Sequence, residues 1–397
     1  MGRAHLVQAT FQLPHRRGGG TARQFFLLRE LARRFEVTVI APADPGVPPE
    51  AYDELGAFAT VAGFPVPPPR RNPVLRAAHL ARMVGSPRPL ASTGMDALRP
   101  AIRAALAGLR RPADIFYVEP STTADWIDLA PPGTLRVLGF HDLTFAAYRE
   151  RARRATRPGA RLLDEVEWRR LRRLELGRAA RVDLNVMISA LERDALERLV
   201  PGAATVLAPN GVDVDYFRPA GPPDPSGPLV LLGSLNHPPN VDAAVRMVRD
   251  VLPAVGRPVA LQIVGRSPVP EVVRLGGAPG VAVVGEVADV RPYLAGASIV
   301  CAPIMFGGGV RMKLLDALAM GCAVVCTPKA AEGFALRDGE ELVIAPIDGY
   351  ARAVAALLDD PERAAALGRR GREFVAREHS WATSADALAD ALDALGG

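Results

Sequence analysis

The chain has 397 residues, 49% hydrophobic and 23% charged, which is long enough for two domains and too apolar for wholesale disorder. Its formal charge of +5 comes from 48 basic and 43 acidic residues, and aromatic residues make up only 6%. That excess is too small and too dispersed, and too poor in interleaved aromatics, for a nucleic-acid binder. Lysine occurs only at Lys313 and Lys329, so every other basic residue is arginine. Together with abundant Gly and Pro, this arginine usage reads as codon bias. Cys301, Cys322 and Cys326 form neither a disulfide framework nor a metal spacing and read as buried thiols. No signal-peptide core and no apolar run near the roughly 20 residues of a membrane span is present. The expectation is a cytoplasmic protein with at most peripheral contact with the inner membrane face.

Apolar strands alternate with amphipathic helices, which predicts α/β units with parallel sheets. In the first half the strands are Ala4–Val7, Val37–Ala41, Ile115–Val118, Arg136–Phe140 and Asp183–Ile188. Gly18, Gly19 and Gly20 precede a helix that Thr21 is placed to cap and that runs to Arg34. Residues 42–100 are Pro-rich and read as irregular apart from HLARMV. Tyr148–Arg181 reads as helical and arginine-rich. Two readings of it stand side by side: a membrane-surface patch for a lipid-linked acceptor, or a plain solvated face. Its interspersed glutamates favour the second.

GPPDPSGP, at 221–228, is linker-like and places a boundary near residues 207–228. A second series follows. Its strands are Leu229–Gly233, Val259–Gly265, Val281–Val284, Ile299–Pro303, Ala323–Thr327 and Leu342–Ala345, and its helices are Val241–Val251 and Val310–Met320. Helices Tyr350–Leu358, Pro361–Glu378 and Ser380–Leu395 close the chain. Asp213 and Asp215 make a D-x-D pair, but they follow the Asn210–Gly211 turn signal with no further acidic cluster, so no metal site is assigned.

NGVDVDYFRP (210–219), GSLNHPPNVDAA (233–244), LQIVG (261–265), VGEVADVRPYLAGASIVCAPI (284–304) and GGGVRMKLLDALAMGCAVVCTPKAAEGF (307–334) occur in one order. They resemble the retaining glycosyltransferases of family GT4 over nearly the whole chain, most specifically over 205–345. The resemblance implies a GT-B fold: two Rossmann-like domains with parallel sheets facing a cleft, and a C-terminal helix crossing back to the N-terminal domain. It implies an acceptor-side domain over 1–207 plus 380–397 and a nucleotide-sugar-binding domain over 208–379. The activity implied is transfer of a sugar from a UDP- or GDP-sugar to an acceptor hydroxyl, lipid-linked acceptors included. No metal and no further cofactor is needed, because the nucleoside-diphosphate sugar is itself a co-substrate.

On this resemblance, backbone amides of Gly308, Gly309 and Val310 and the cations Arg311 and Lys313 face the donor diphosphate. Asp316 stands where the family has a ribose-binding glutamate, and Gly308 stands where it has an earlier glutamate. Many members carry an Arg and a Lys in the loop that here reads GSLNHPPN, and Arg311 with Lys313 is expected to replace them. Ser234 and Gly265 line the donor, Val287 meets the base, and Gly18, Gly19 and Gly20 approach the phosphate. His141, at a strand end, is expected to bond the donor sugar or a transition-state oxygen, with Asp142 orienting it. Two rival readings are a catalytically silent nucleotide-sugar-binding partner and another GT-B enzyme such as a sugar-nucleotide epimerase.

Overall fold

The computed structural model describes residues 3–16, 19–44, 46–65, 83, 85–219, 221, 224–307 and 311–396. The chain divides into two units, Met1–Pro209 with Trp381–Gly397, and Asn210–Ser380, so the division falls inside the APNGVDVDYFRP phrase.

The first unit is built on seven parallel strands. They are β1 (His5–Ala9), β2 (Glu36–Ala43), β3 (Thr60–Pro65), β4 (Ile115–Val118), β5 (Leu135–Gly139), β6 (Leu184–Met187) and β7 (Thr205–Leu207), in the order β3-β2-β1-β4-β5-β6-β7. Adjacent strand residues feed opposite faces, as the pleat requires. Leu6, Ile115 and Tyr117 enter one core, and Val7, Phe116 and Val118 the other. Helix α1 (Gly19–Leu31) covers the first face and α2 (Pro49–Gly56) follows β2. The second face takes Ile102 of α3 (Arg99–Ala107), Leu171 and Leu174 of α5 (Pro158–Ala179) and Leu196 of α6 (Ala190–Leu199), while Phe145 and Ala152 of α4 (Thr144–Arg154) are buried beside them.

The structure corrects several sequence expectations. Thr21 does not cap α1, because the helix already begins at Gly19 and Thr21 is buried within its first turn. The stretch from 42 to 100 is less irregular than expected. It holds α2 and β3, and β3 pairs with β2 from Thr60 to Pro65. Its half-exposed sequence TVAGFP hid it, since an edge strand lacks the continuous apolar run of a buried one. HLARMV lies mostly outside the described residues. The arginine-rich helix is two helices, α4 and α5, broken at Ala155–Arg157 ahead of Pro158.

In the second unit β8 (Leu229–Leu232), β9 (Leu261–Val264), β10 (Val281–Gly285), β11 (Ile299–Ala302), β12 (Val324–Cys326) and β13 (Val343–Ile344) form a parallel sheet ordered β10-β9-β8-β11-β12-β13. Helices α7 (Pro238–Arg246), α8 (Met312–Ala319), α9 (Ile347–Asp359) and α10 (Pro361–Glu378) pack on a single core. Helix α8 starts at Met312 rather than Val310, with Arg311 in a non-helical conformation ahead of it. Cys301, Cys322 and Cys326 are buried, and burial pushes each thiol up to about 12.

The last helix, α11 (Trp381–Gly396), belongs to the first unit. Trp381 stacks on Phe26 of α1 with ring centroids 5.6 Å apart, and Ser384 Oγ donates to the Pro209 carbonyl at 2.7 Å. No helix among the described residues is long and apolar enough to cross a membrane.

Candidate active site

Strand order reverses between β1 and β4 in the first sheet and between β8 and β11 in the second. Open α/β sheets bind ligands at such switch points, beyond the carboxyl ends of the strands. The chemistry-bearing residues gather at these two places.

In the first unit Glu119, directly after β4, is fully buried. Its Oε2 accepts from Gln8 Nε2 at 3.0 Å, and its Oε1 accepts from Arg23 Nε at 3.0 Å and lies 3.0 Å from His141 Nε2. Burial alone would raise its carboxyl. The bond from His141 and the Arg23 guanidinium outweigh that and hold it at about 2. Arg23 Nη1 also donates to the Ala208 carbonyl at 2.8 Å. Tyr117 lies beside the carboxylate, and burial together with the Glu119 charge pushes its phenol well above 10.

Gly20 lies against the same imidazole. A Cβ at Gly20 would come within 2.9 Å of His141 Cε1, so α1 packs this closely only because the position has no side chain. Two sequence-predicted residues, Gly20 and His141, therefore meet. Gly19 opens α1 with open space around it, and Gly18 lies outside the described residues. Asp142 does not orient His141. Its Oδ1 accepts from Thr144 Oγ1 at 2.9 Å, and Glu119 holds the imidazole instead.

In the second unit the backbone of Gly265, at φ +155°, packs so tightly on Gly233 that a Cβ would overlap the Gly233 carbonyl oxygen. This contact joins the ends of β8 and β9. Arg266 follows Gly265, and its Nε donates to Ser234 Oγ at 3.3 Å. Ser267 then takes a left-handed conformation at φ +54°, a strained geometry that a non-glycine residue rarely adopts.

Arg266 and Arg311 each lie close enough to Lys313 to act on it electrostatically. Burial and the two guanidiniums lower Lys313 to about 8, while Asp316 opposes them. Burial raises Asp316 to about 7, and Lys313 opposes that. His237, at the N-cap of α7, is also lowered, by burial and then by Arg311 and Lys313. Lys313 is therefore flanked by Arg266 and Arg311, and His237 by Arg311 and Lys313, and an anion there would relieve the repulsion.

Arg311 is used differently from the expectation. Its Nη2 donates to the carbonyls of Gly307 at 2.9 Å and Phe306 at 3.3 Å, so it braces the loop before α8. Val287 follows the edge strand β10 and packs partly buried against the core. Gly308, Gly309 and Val310 lie outside the described residues. Asp213 Oδ1 accepts from the Tyr216 amide at 3.0 Å and so shapes the turn it sits in.

Sequence reasoning missed Arg266, His237, Glu119 and Arg23. Arg266 and Glu119 had one available signal, a charged residue immediately after an apolar strand. His237 carried no such signal, since it stands inside the GSLNHPPN loop rather than directly after a strand.

Residues 227–360 match the family described as Glycosyl transferases group 1, and residues 17–216, half the chain, match Glycosyltransferase Family 4. The chain belongs to Glycosyltransferase Family 4. Among curated relatives of this family member is the GDP-mannose-dependent alpha-(1-6)-phosphatidylinositol monomannoside mannosyltransferase of Mycobacterium tuberculosis. It is 31% identical over 221 residues, covering 48% of this chain and 56% of the relative. The chain thus spans about half the length of the curated relatives it matches.

Solved structures share the GT-B fold. Sucrose-phosphate synthase from Thermosynechococcus elongatus is 19% identical with a TM-score of 0.73, covering 99% of each chain. Anabaena HepE, in complex with UDP and glucose, is 15% identical with a TM-score of 0.67, covering 99% of this chain and 100% of HepE.

Proposed function

We propose that this Family 4 member is a retaining glycosyltransferase that moves a sugar from a UDP- or GDP-sugar to an acceptor hydroxyl. The observation that carries the reading is the convergence of Arg266, Lys313, Arg311 and His237 at the β8–β11 switch point. In this reading Lys313 and Arg266 compensate the donor diphosphate beside Ser234, the amides of Gly308, Gly309 and Val310 keep their expected role, and Gly265, whose own amide donates to the Gly285 carbonyl at 2.8 Å, contributes the close packing of the strand end. Asp316 faces the ribose and Val287 the base. The expected role of His141, a bond to the transferred sugar or a transition-state oxygen, is kept, with Glu119 as its positioning residue.

The bond between the anomeric carbon and the diphosphate oxygen breaks, and the acceptor oxygen bonds that carbon on the same face. The acceptor proton passes to the departing phosphate. Fixed cations stabilise the charge that grows on that oxygen, so the reading requires neither a metal nor a further cofactor. The name of the mycobacterial relative makes GDP-mannose the first donor to test and phosphatidylinositol-type lipids the first acceptors.

The test is calorimetric titration with GDP and UDP, followed by incubation with radiolabelled GDP-mannose or UDP-glucose and candidate acceptors. Binding of one nucleoside diphosphate, with sugar transfer or slow donor hydrolysis that inverts no anomeric centre, is expected. Nucleotide binding with neither transfer nor hydrolysis of any sugar overturns the enzyme reading in favour of a silent binding partner.

A further inference from the structure

Helices α4 and α5 pack on each other as a hairpin, and three of its five acids turn inward. Asp164, Glu167 and Glu175 are all buried. Asp164 Oδ2 accepts from Arg151 Nε at 2.8 Å, and Glu167 Oε1 from the Leu90 amide at 2.6 Å. Glu175 takes bonds from Ser121 Oγ at 2.6 Å and from the Phe145 amide at 3.1 Å at the start of α4. Glu150 and Glu165 stay at the surface and pair with Arg154 and Arg169, so the outer face is not balanced by its acids but keeps an excess of arginine over them.

The outer surface keeps the arginines. Arg153, Arg157, Arg161, Arg172 and Arg173 are exposed. The ion pairs of the hairpin are made by Arg151, Arg154, Arg169, Arg170 and Arg178. At the hairpin tip lies an apolar cluster in open contact with water: Leu162 is 67% exposed, Leu163 45% and Val166 38%. Leu162, Val166, Arg169 and Arg173 run along one side of α5 at four- and three-residue steps. Helix α5 opens with Pro158 and has no acid in its first turn, so its positive end adds to the charge of the tip.

We infer that the tip of the α4–α5 hairpin is a docking surface for an anionic phospholipid bilayer. Leucine and valine enter the headgroup boundary while the surrounding arginines meet lipid phosphates, the two contributions that an interfacial helix combines. A nucleic acid would use the arginines but leave the exposed leucines without a partner. The inference does not rest on the proposed transfer reaction, since it concerns where the chain sits and not what it catalyses.

The test uses the full chain in co-sedimentation with vesicles of phosphatidylcholine alone and of phosphatidylcholine mixed with phosphatidylglycerol. Salt-sensitive binding to the mixed vesicles is expected. Trp168 supplies a second readout. It lies between Arg149 and Arg169, with guanidinium-to-ring distances of 5.5 and 4.7 Å, while Trp126 and Trp381 are buried. Its emission should shift to the blue on binding, and Trp168→Phe should abolish the shift.

Replacing Arg153, Arg157 and Arg161 together by Ala should weaken partitioning roughly a hundredfold. Replacing Leu162, Leu163 and Val166 together by Ser should remove the salt-resistant part of binding. Both variants should keep the wild-type circular dichroism, melting temperature and nucleotide affinity. Equal binding to both vesicle types, or wild-type partitioning by either variant, overturns the inference. So does a duplex DNA that outcompetes the vesicles and loses binding in the arginine variant alone.

Discussion

His141 Nε2 and Glu119 Oε1 lie 3.0 Å apart, and the carboxylate of that pair is fully buried while the imidazole keeps a partly exposed face. Glu119 orients the ring through this contact, leaving the rest of the imidazole to act outward. Glu119→Gln should keep the fold and lower kcat far more than it raises the donor KM. An unchanged kcat, or a kcat and KM that move together, would reduce Glu119 to a packing residue.

The same carboxylate links stability to pH. Glu119 is held at about 2 against an ordinary 4.5. Its stabilisation is therefore complete above the unfolded value and is lost as pH falls through the folded one. The shift corresponds to about 3 kcal/mol. Melting of the wild-type protein should drop steeply between pH 5 and pH 2, and Glu119→Gln should melt lower at pH 7 with a flatter profile. Glu119→Ala should cost about 3–5 kcal/mol, because it leaves the Arg23 guanidinium buried without its carboxylate.

Gly20→Ala tests how closely α1 approaches the imidazole. The new Cβ meets His141 Cε1 at 2.9 Å, so the ring must turn away from Glu119. The protein should fold with a normal circular dichroism spectrum and lose much of its transfer rate. Gly56→Ala, at the end of α2 with open space around it, serves as the silent control.

Lys313 predicts the pH dependence of donor binding. Burial and two guanidiniums lower it to about 8, so it is charged below that pH and neutral above it. The Lys313 contribution to GDP or UDP affinity should be nearly constant below pH 8 and fall above it by up to tenfold per pH unit, until the raised value in the complex is passed, with Asp316 near 7 adding a separate step. Binding near pH 8.5 should take up protons, visible as a buffer-dependent heat. Lys313→Arg should flatten the profile, because arginine stays charged throughout.

Arg266 and Arg311 should separate on substitution. Arg266→Ala removes a cation that reaches Ser234 and Lys313, and nucleoside diphosphate affinity should fall about tenfold or more with little change in melting. Arg311→Ala removes a brace on the Phe306 and Gly307 carbonyls, and both melting temperature and affinity should fall. If Arg266→Ala binds nucleotide as the wild type does, the cation that serves the diphosphate lies elsewhere.

Much of the fold was legible because buried parallel strands are continuous apolar runs. VTVIA and LVLL announce themselves whatever surrounds them, and Pro361–Glu378 was bounded at both ends by its own proline and its own period. The edge strand β3 was not legible, since a strand exposed on its outer side carries little apolar signal. In the candidate site, Lys313, Asp316, Gly20 and His141 were visible as motif residues. Glu119 and Arg266 were not, since their partners stand 96 and 32 residues away, at Arg23 and Ser234.

By itself the sequence determined the alternation of strands and helices, the two-unit plan and the membership of Glycosyltransferase Family 4, because these depend on local periodicity and on ordered motifs. Only the tertiary structure decided where charge is concentrated. It sent Asp164, Glu167 and Glu175 of the α4–α5 hairpin inward and left most of its arginines outside, put Glu119 rather than Asp142 behind His141, and turned Arg311 onto its own loop while bringing Arg266 toward Lys313. Charges interact through space, and distance in space is set by packing, which a count of basic and acidic residues does not contain.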